Sequence, residues 1–98
     1  MIAVVYRRRL KPGLEEQFID GWNRVTVAIR RSCGSYGSRL HCCADGTWMA
    51  YARWPDEATR NAFQHNEVEG LRLMGEAIAE RFPEAVGTVV SDQLDEPE

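Results

Sequence analysis

Two stretches of this chain carry apolar side chains on both faces of a strand. In IAVVYRRRL (2–10), Ile2, Val4 and Tyr6 fall on one side, Ala3 and Val5 on the other. In TWMAYARW (47–54), Trp48, Ala50, Ala52 and Trp54 point one way, Met49 and Tyr51 the other. A sheet made from such strands has two faces to bury, and the helices of a small α+β chain cover only one. A bare second face would exceed the few hundred Å² of apolar patch that monomers usually show. The expected cover is a second copy of the chain, packed sheet against sheet.

The remaining pattern supplies the helices. After the breaker Lys11-Pro12-Gly13, the apolar period changes from two to three and four: Leu14, Phe18, Trp22, Val25 and Ile29 form one stripe. Glu15 and Glu16 near its start and Arg30 and Arg31 near its end suit the helix dipole, and Gly34 is a plausible C-cap. Strands are expected over about 36–43 and 47–54, joined by Asp45-Gly46, because glycine accepts a positive φ cheaply. Pro55-Asp56 opens a second helical region with an expected break near His65-Asn66. Its long stripe of Val68, Leu71, Met74, Ile78 and Phe82 predicts a helix ended by Pro83. AVGTVVSDQL (85–94) reads as the last strand, and residues 95–98 as a mobile acidic tail.

The order β-α-β-β-α-β predicts an α+β, ferredoxin-like domain over residues 1–94: a four-stranded antiparallel sheet with both helices on one face. With 98 residues there is room for one core. The net charge of −3 and the split of Arg7, Arg8 and Arg9 between two strand faces argue against a nucleic-acid partner. No run of about 18 apolar residues suggests a membrane span. Nor do the first arginines precede an apolar segment, so a cytoplasmic location is the default expectation.

RLHCCADG (39–46) holds adjacent His41, Cys42 and Cys43. On a strand, His41 and Cys43 share a face and Cys42 points away, so the three cannot converge on one metal. Cys33 and His65 stand alone, and no CxxC is present. No metal site is expected, and the cysteines are read as small hydrophobes filling core space. His41 is open to three readings: a satisfied strand histidine, an interface residue or a pocket base. His65 is either an exposed loop residue or a proton carrier, its intrinsic pKa of about 6.5 suiting transfer.

Arg8 sits where alternation buries it between Tyr6 and Leu10, and a buried arginine needs a partner, either an acid or an anionic ligand. An acid from the helices is the expected one. Trp54 reads either as a pocket wall or as a core anchor, and Trp22 more readily as core.

DGTWMAYARWPDEATRNAF (45–63), taken with RRLKPGLEEQFIDGW (8–22), resembles the antibiotic biosynthesis monooxygenase superfamily of small dimeric α+β barrel proteins. The resemblance spans nearly the whole chain. It implies a homodimer through the open sheet face, a small-molecule ligand and no cofactor. In such oxygenases the substrate itself supplies electrons to O₂, while the protein desolvates it, helps remove a proton and stabilises the anion. The resemblance places Trp54 in the pocket. The Asn four residues before that Trp and the Tyr six after it are replaced here by Ala50 and Arg60. The position of the iron-holding His of haem-degrading relatives is occupied by Leu73.

The function so implied is a cofactor-independent monooxygenase acting on a small aromatic or enolisable compound. Its candidate catalytic residues are His41 and His65, and its candidate substrate-binding residues are Trp54, Tyr51, Trp22, Tyr6 and Arg8. The alternatives are a non-catalytic ligand-binding or stress-response dimer, and an isomerase or lyase with a His as proton shuttle.

Overall fold

The computed structural model describes residues 1–62 and 67–94. The chain runs β1 (Ile2–Leu10), α1 (Glu15–Ser32), β2 (Ser38–Cys42), β3 (Trp48–Trp54), α2 (Glu57–Asn61), α3 (Val68–Ala77), β4 (Ile78–Arg81) and β5 (Ala85–Thr88). All strands are antiparallel in the order β2-β3-β1-β4, with β5 also on β1. This is the ferredoxin-like order expected from the alternation of elements, with the last strand in two pieces.

Local chemistry sets the boundaries. Gly13 takes φ +86°, and Leu14 N donates to Lys11 O at 3.1 Å, turning the chain from β1 into α1. α1 buries Phe18, Gly21 and Val25 and carries Glu15 and Glu16 in its first turn and Arg30 and Arg31 in its last. The hairpin between β2 and β3 closes through Gly46, at φ +86°, with Gly46 N donating to Cys43 O and Cys43 N to Thr47 O. Asp56 caps α2 by accepting from Thr59 N at 2.7 Å.

α1 and α3 cross closely enough that a Cβ on Gly21 would lie 2.6 Å from Gly70 O and 2.8 Å from Met74 Cγ. The two glycines therefore let the helix backbones approach, which offsets their poor helix propensity.

One expectation is corrected. The stripe to Phe82 predicts a helix to Pro83, but α3 ends at Ala77 and residues 78–81 pair with β1 instead. The reason lies in β1, which is nine residues long and needs partners for its backbone along both edges. Lys11 N donates to Ala77 O at 2.8 Å and Phe82 N to Arg7 O at 3.1 Å. Pro83 lacks an N–H and interrupts this edge, and β5 resumes it opposite Ile2 to Val5. Ile78 still faces the helices, so its apolar side chain satisfies either assignment.

The buried residues form two clusters on the helix side of the sheet. Ile2, Val4, Ala52 and Trp54 make one, with Tyr6, Ile29 and Cys33 against it. Leu10, Phe18 and Ala77 make the other, with Leu14, Trp22, Leu40, Trp48, Met74 and Ile78 against it. The cysteines depart from the expected core-filling role: Cys33 packs on the first cluster, but Cys42 is exposed and Cys43 half-buried near the hairpin tip. No helix among the described residues is long and apolar enough to cross a membrane.

Candidate active site

The register fixes which side chains share a face. Ile2, Val4, Tyr6 and Arg8 of β1 stand opposite Trp54, Ala52, Ala50 and Trp48 of β3. Ser38, Leu40 and Cys42 of β2 continue the same rows. This face meets α1 and α3. Between the two core clusters it leaves a cavity of about 180 Å³, whose walls include Trp22, Trp48 and Trp54, with Phe18, Val25, Leu40 and Met74. Ala50 and Ala52 form part of its floor, and their small side chains leave the space that larger residues would fill.

Polar groups enter this apolar space at a few points: Tyr6, Arg8, Thr26, Ser35 and Ser38. Ser35 Oγ is occupied, accepting from Gly37 N at 3.0 Å. Ser38 Oγ is buried and has no hydrogen-bond partner among the described residues. The Tyr6 hydroxyl accepts from Arg60 Nη2 at 3.2 Å, and the same nitrogen donates to Glu84 Oε1 at 2.6 Å. Hydrogen bonds to Tyr6 and Glu84 outweigh the cost of burial and hold the Arg60 guanidinium above its ordinary pKa. Arg60 is thereby fixed as a cation, with its side chain 14% exposed.

Arg8 differs from expectation. It makes no ion pair among the described residues. Its Nη1 donates to the carbonyl oxygens of Arg7 at 2.8 Å and Phe82 at 3.5 Å, and its guanidinium lies over the Tyr6 ring, 5.6 Å from the centroid. No helix acid pairs with it among the described residues, and Glu84, ion-paired with Arg60 at 2.6 Å, attracts it only through space. Burial, with Arg81 beside it, pulls Arg8 below the ordinary arginine range.

Of the residues singled out from the sequence, Trp54, Trp22, Tyr6 and Arg8 converge on this cavity. Trp54 is at once wall and core, at 3% exposure. Tyr51 and His41 lie on the opposite face of the sheet, lining a broad open groove with Met49, Arg39 and Arg53. There the His41 ring Nδ1 sits 3.2 Å from Met49 O. His65 lies outside the described residues, as does the 95–98 tail. No histidine or carboxylate is among the described residues lining the cavity, and among the described residues no three His, Cys, Asp or Glu side chains gather as metal ligands would.

Four further residues belong to the site: Trp48, Ser38, Arg60 and Glu84. Trp48 was readable, because it shares strand parity with Trp54. A lone serine and a glutamate beyond a proline carry no such signal, and Arg60 was marked only by standing where the resemblance places a Tyr.

Comparison with solved structures places the fold. A protein from Bordetella bronchiseptica assigned to the antibiotic biosynthesis monooxygenases is similar with a TM-score of 0.77 and 20% identity, over 92% of this chain and 97% of that one. SnoaB, a cofactor-independent oxygenase from Streptomyces nogalater, matches with a TM-score of 0.75 and 14% identity, over 96% and 97% of the two chains. A protein of unknown function from Nitrosomonas europaea matches with a TM-score of 0.68 and 17% identity, over 98% and 95%. No protein-family model and no curated protein matches the chain. The chain has the fold of the antibiotic biosynthesis monooxygenases.

Proposed function

We propose that this protein is a small-molecule oxygenase that works without a cofactor on an aromatic or enolisable compound bound between sheet and helices. One observation carries the reading: the indole-walled cavity of about 180 Å³ with Tyr6 and Arg8 reaching into it. The fold shared with a cofactor-independent oxygenase supports it.

The chemistry suits such walls. Stripped of water, an electron-rich anion transfers electrons to O₂ more readily, because its charge is no longer stabilised by solvent. An activated CH₂ carbon that loses a proton can add O₂ to give a hydroperoxide. Loss of water then leaves a carbonyl, so one oxygen atom stays and the other departs as water, with all four electrons drawn from the substrate. The protein's share is to exclude water and to hold the developing oxyanion with Arg8 and the Tyr6 hydroxyl.

A second reading is a ligand-binding dimer without chemistry. The observation favouring it is that the described cavity lining holds no carboxylate or imidazole to take a proton. In either reading the working unit is a homodimer. Ala3, Val5, Met49 and Tyr51, half-buried on the far face, would be covered by a second copy, and sedimentation of the purified protein tests this directly.

Oxygen uptake separates the two functional readings. Purified protein given a panel of phenols and hydroquinones should consume O₂ above the uncatalysed rate without added metal. Trp54→Phe should lower that rate at least about tenfold if the indole orients substrate. Binding with no uptake across the panel establishes the non-catalytic reading.

A further inference from the structure

Arg8 and Tyr6 make an arrangement that a merely apolar pocket does not need. The guanidinium has five N–H donors. Those on Nη1 go to two backbone carbonyls, while Nε and Nη2 have no partner among the described residues. Beside it the Tyr6 oxygen is already used as an acceptor by Arg60. Its remaining capacity is to donate its own hydrogen. Arg60 is in turn held by Glu84, so the orientation of the phenol is imposed from outside the cavity. A cation with no ion pair among the described residues and a hydroxyl free to donate then stand side by side, where burial and the neighbouring Arg81 outweigh the attraction of Tyr6 and Glu84.

Volume limits what can meet them. A cavity of about 150 Å³ accommodates benzene, so about 180 Å³ suits one ring with a small substituent rather than a fused polycycle.

Resting on the small-molecule reading above, we propose that the ligand is a monocyclic organic acid bound as its anion. Its oxyanion is gripped by the Arg8 guanidinium and the Tyr6 hydroxyl, and its ring lies in the apolar wall on the Trp48 side of the cavity. Arg60 and Glu84 are positioning residues: they act on the ligand only through Tyr6.

The test is equilibrium binding by calorimetry, independent of turnover, using benzoate and its neutral isostere benzamide on the purified protein. Wild type should bind benzoate about tenfold tighter or more, the discrimination expected of charge-assisted hydrogen bonds. Arg8→Met should erase the preference and leave benzamide affinity within about twofold. Tyr6→Phe and Arg60→Met should each weaken benzoate about three- to tenfold, with partial recovery in Arg60→Lys. A merely structural Arg60 would shift benzamide equally and show no such recovery.

Equal binding of the two probes by wild type, no binding of either at millimolar concentration, or a preference surviving in Arg8→Met each overturns the proposal. The wild-type comparison stands even if a variant fails to fold. Benzoate preference without O₂ uptake defeats the oxygenase reading and leaves this one intact. O₂ uptake with neutral substrates and no benzoate preference does the reverse.

Discussion

Arg7 and Arg8 are neighbours in sequence and opposites in circumstance. Arg7 points to the hairpin side of the sheet, where its Nη2 donates to Asp45 Oδ2 at 3.0 Å and to Thr47 Oγ1 at 3.2 Å. Thr47 donates from its backbone and its hydroxyl to Asp45 Oδ1, at 2.9 and 2.6 Å, and is completely buried. Arg7, Asp45 and Thr47 each find a partner in that small network. Arg8, one residue on, faces the cavity with no ion pair among the described residues and donors to spare. A chain that balances one arginine so fully does not lack acids. It leaves the other open where a ligand fits. An ion pair therefore helps hold the hairpin together, while the cation that lacks one among the described residues faces the cavity.

The largest expected effect tests whether the cavity side is also structural. Trp54→Ala removes a wall that is 3% exposed and packed with Ile2, Val4 and Ala52. It should cost about 3–5 kcal/mol, as large-to-small core changes do. Urea unfolding with an unchanged m-value would measure it. A cost under about 1 kcal/mol would mean that the indole is pocket lining only and that the core closes without it.

On the saturated side, Thr47→Val deletes one hydroxyl that serves both Asp45 and Arg7. The expected loss is about 1–3 kcal/mol, the range for hydrogen bonds to charged groups. Benzoate binding at the cavity should be unchanged. A variant that keeps its stability but loses the ligand would invert the contrast between the two arginines.

How much of this was legible beforehand follows the same division. Side-chain parity on β1 and β3 is local, so the helix-side row of Tyr6, Arg8, Trp48 and Trp54 could be read directly, as could the Gly46 turn and the whole of α1. Parity also separates Tyr51 from Trp54, and grouping them in one site ignored that. The end of α3 was not legible. Ile78 satisfies a helical spacing as well as it satisfies β4, and the unpaired edge of β1, far away in sequence, decided between them. Whether Arg8 finds an acid was equally hidden. It depends on Glu84, beyond Pro83, meeting Arg60 of α2 first, and no spacing rule links those three positions.

Acid titration gives a smaller, directional effect. Hydrogen bonds from the Thr47 hydroxyl and backbone, with Arg7 adding its charge, hold the Asp45 carboxyl below the usual carboxylate range. A carboxylate whose folded pKa is depressed contributes stability above its unfolded pKa of about 4. That contribution is lost as pH falls through the folded value. Asp45→Asn should flatten the acid limb of the stability curve below about pH 4. An acid limb identical in wild type and Asp45→Asn would show that the network gives the hairpin no pH-dependent support.

The smallest expected effect is the most discriminating. Ser38 and Thr47 each carry a buried hydroxyl, but among the described residues Ser38 Oγ has no partner and Thr47 Oγ1 has two. An unpartnered hydroxyl in an apolar wall already bears its desolvation cost, so removing it relieves as much as it loses. Ser38→Ala should shift stability by less than about 0.5 kcal/mol, or raise it, where the same chemical deletion at position 47 costs several times more. Ser38 stands opposite Ala52 and Arg8 opposite Trp48, so the two lie toward opposite ends of the cavity. A ligand anchored at Arg8 and long enough to reach Ser38 would then lose affinity in Ser38→Ala while the empty protein gains stability. Benzoate, too short to touch both ends, should bind the variant as it binds wild type. Weakened benzoate binding would place the anion near Ser38 and contradict the grip at Arg8.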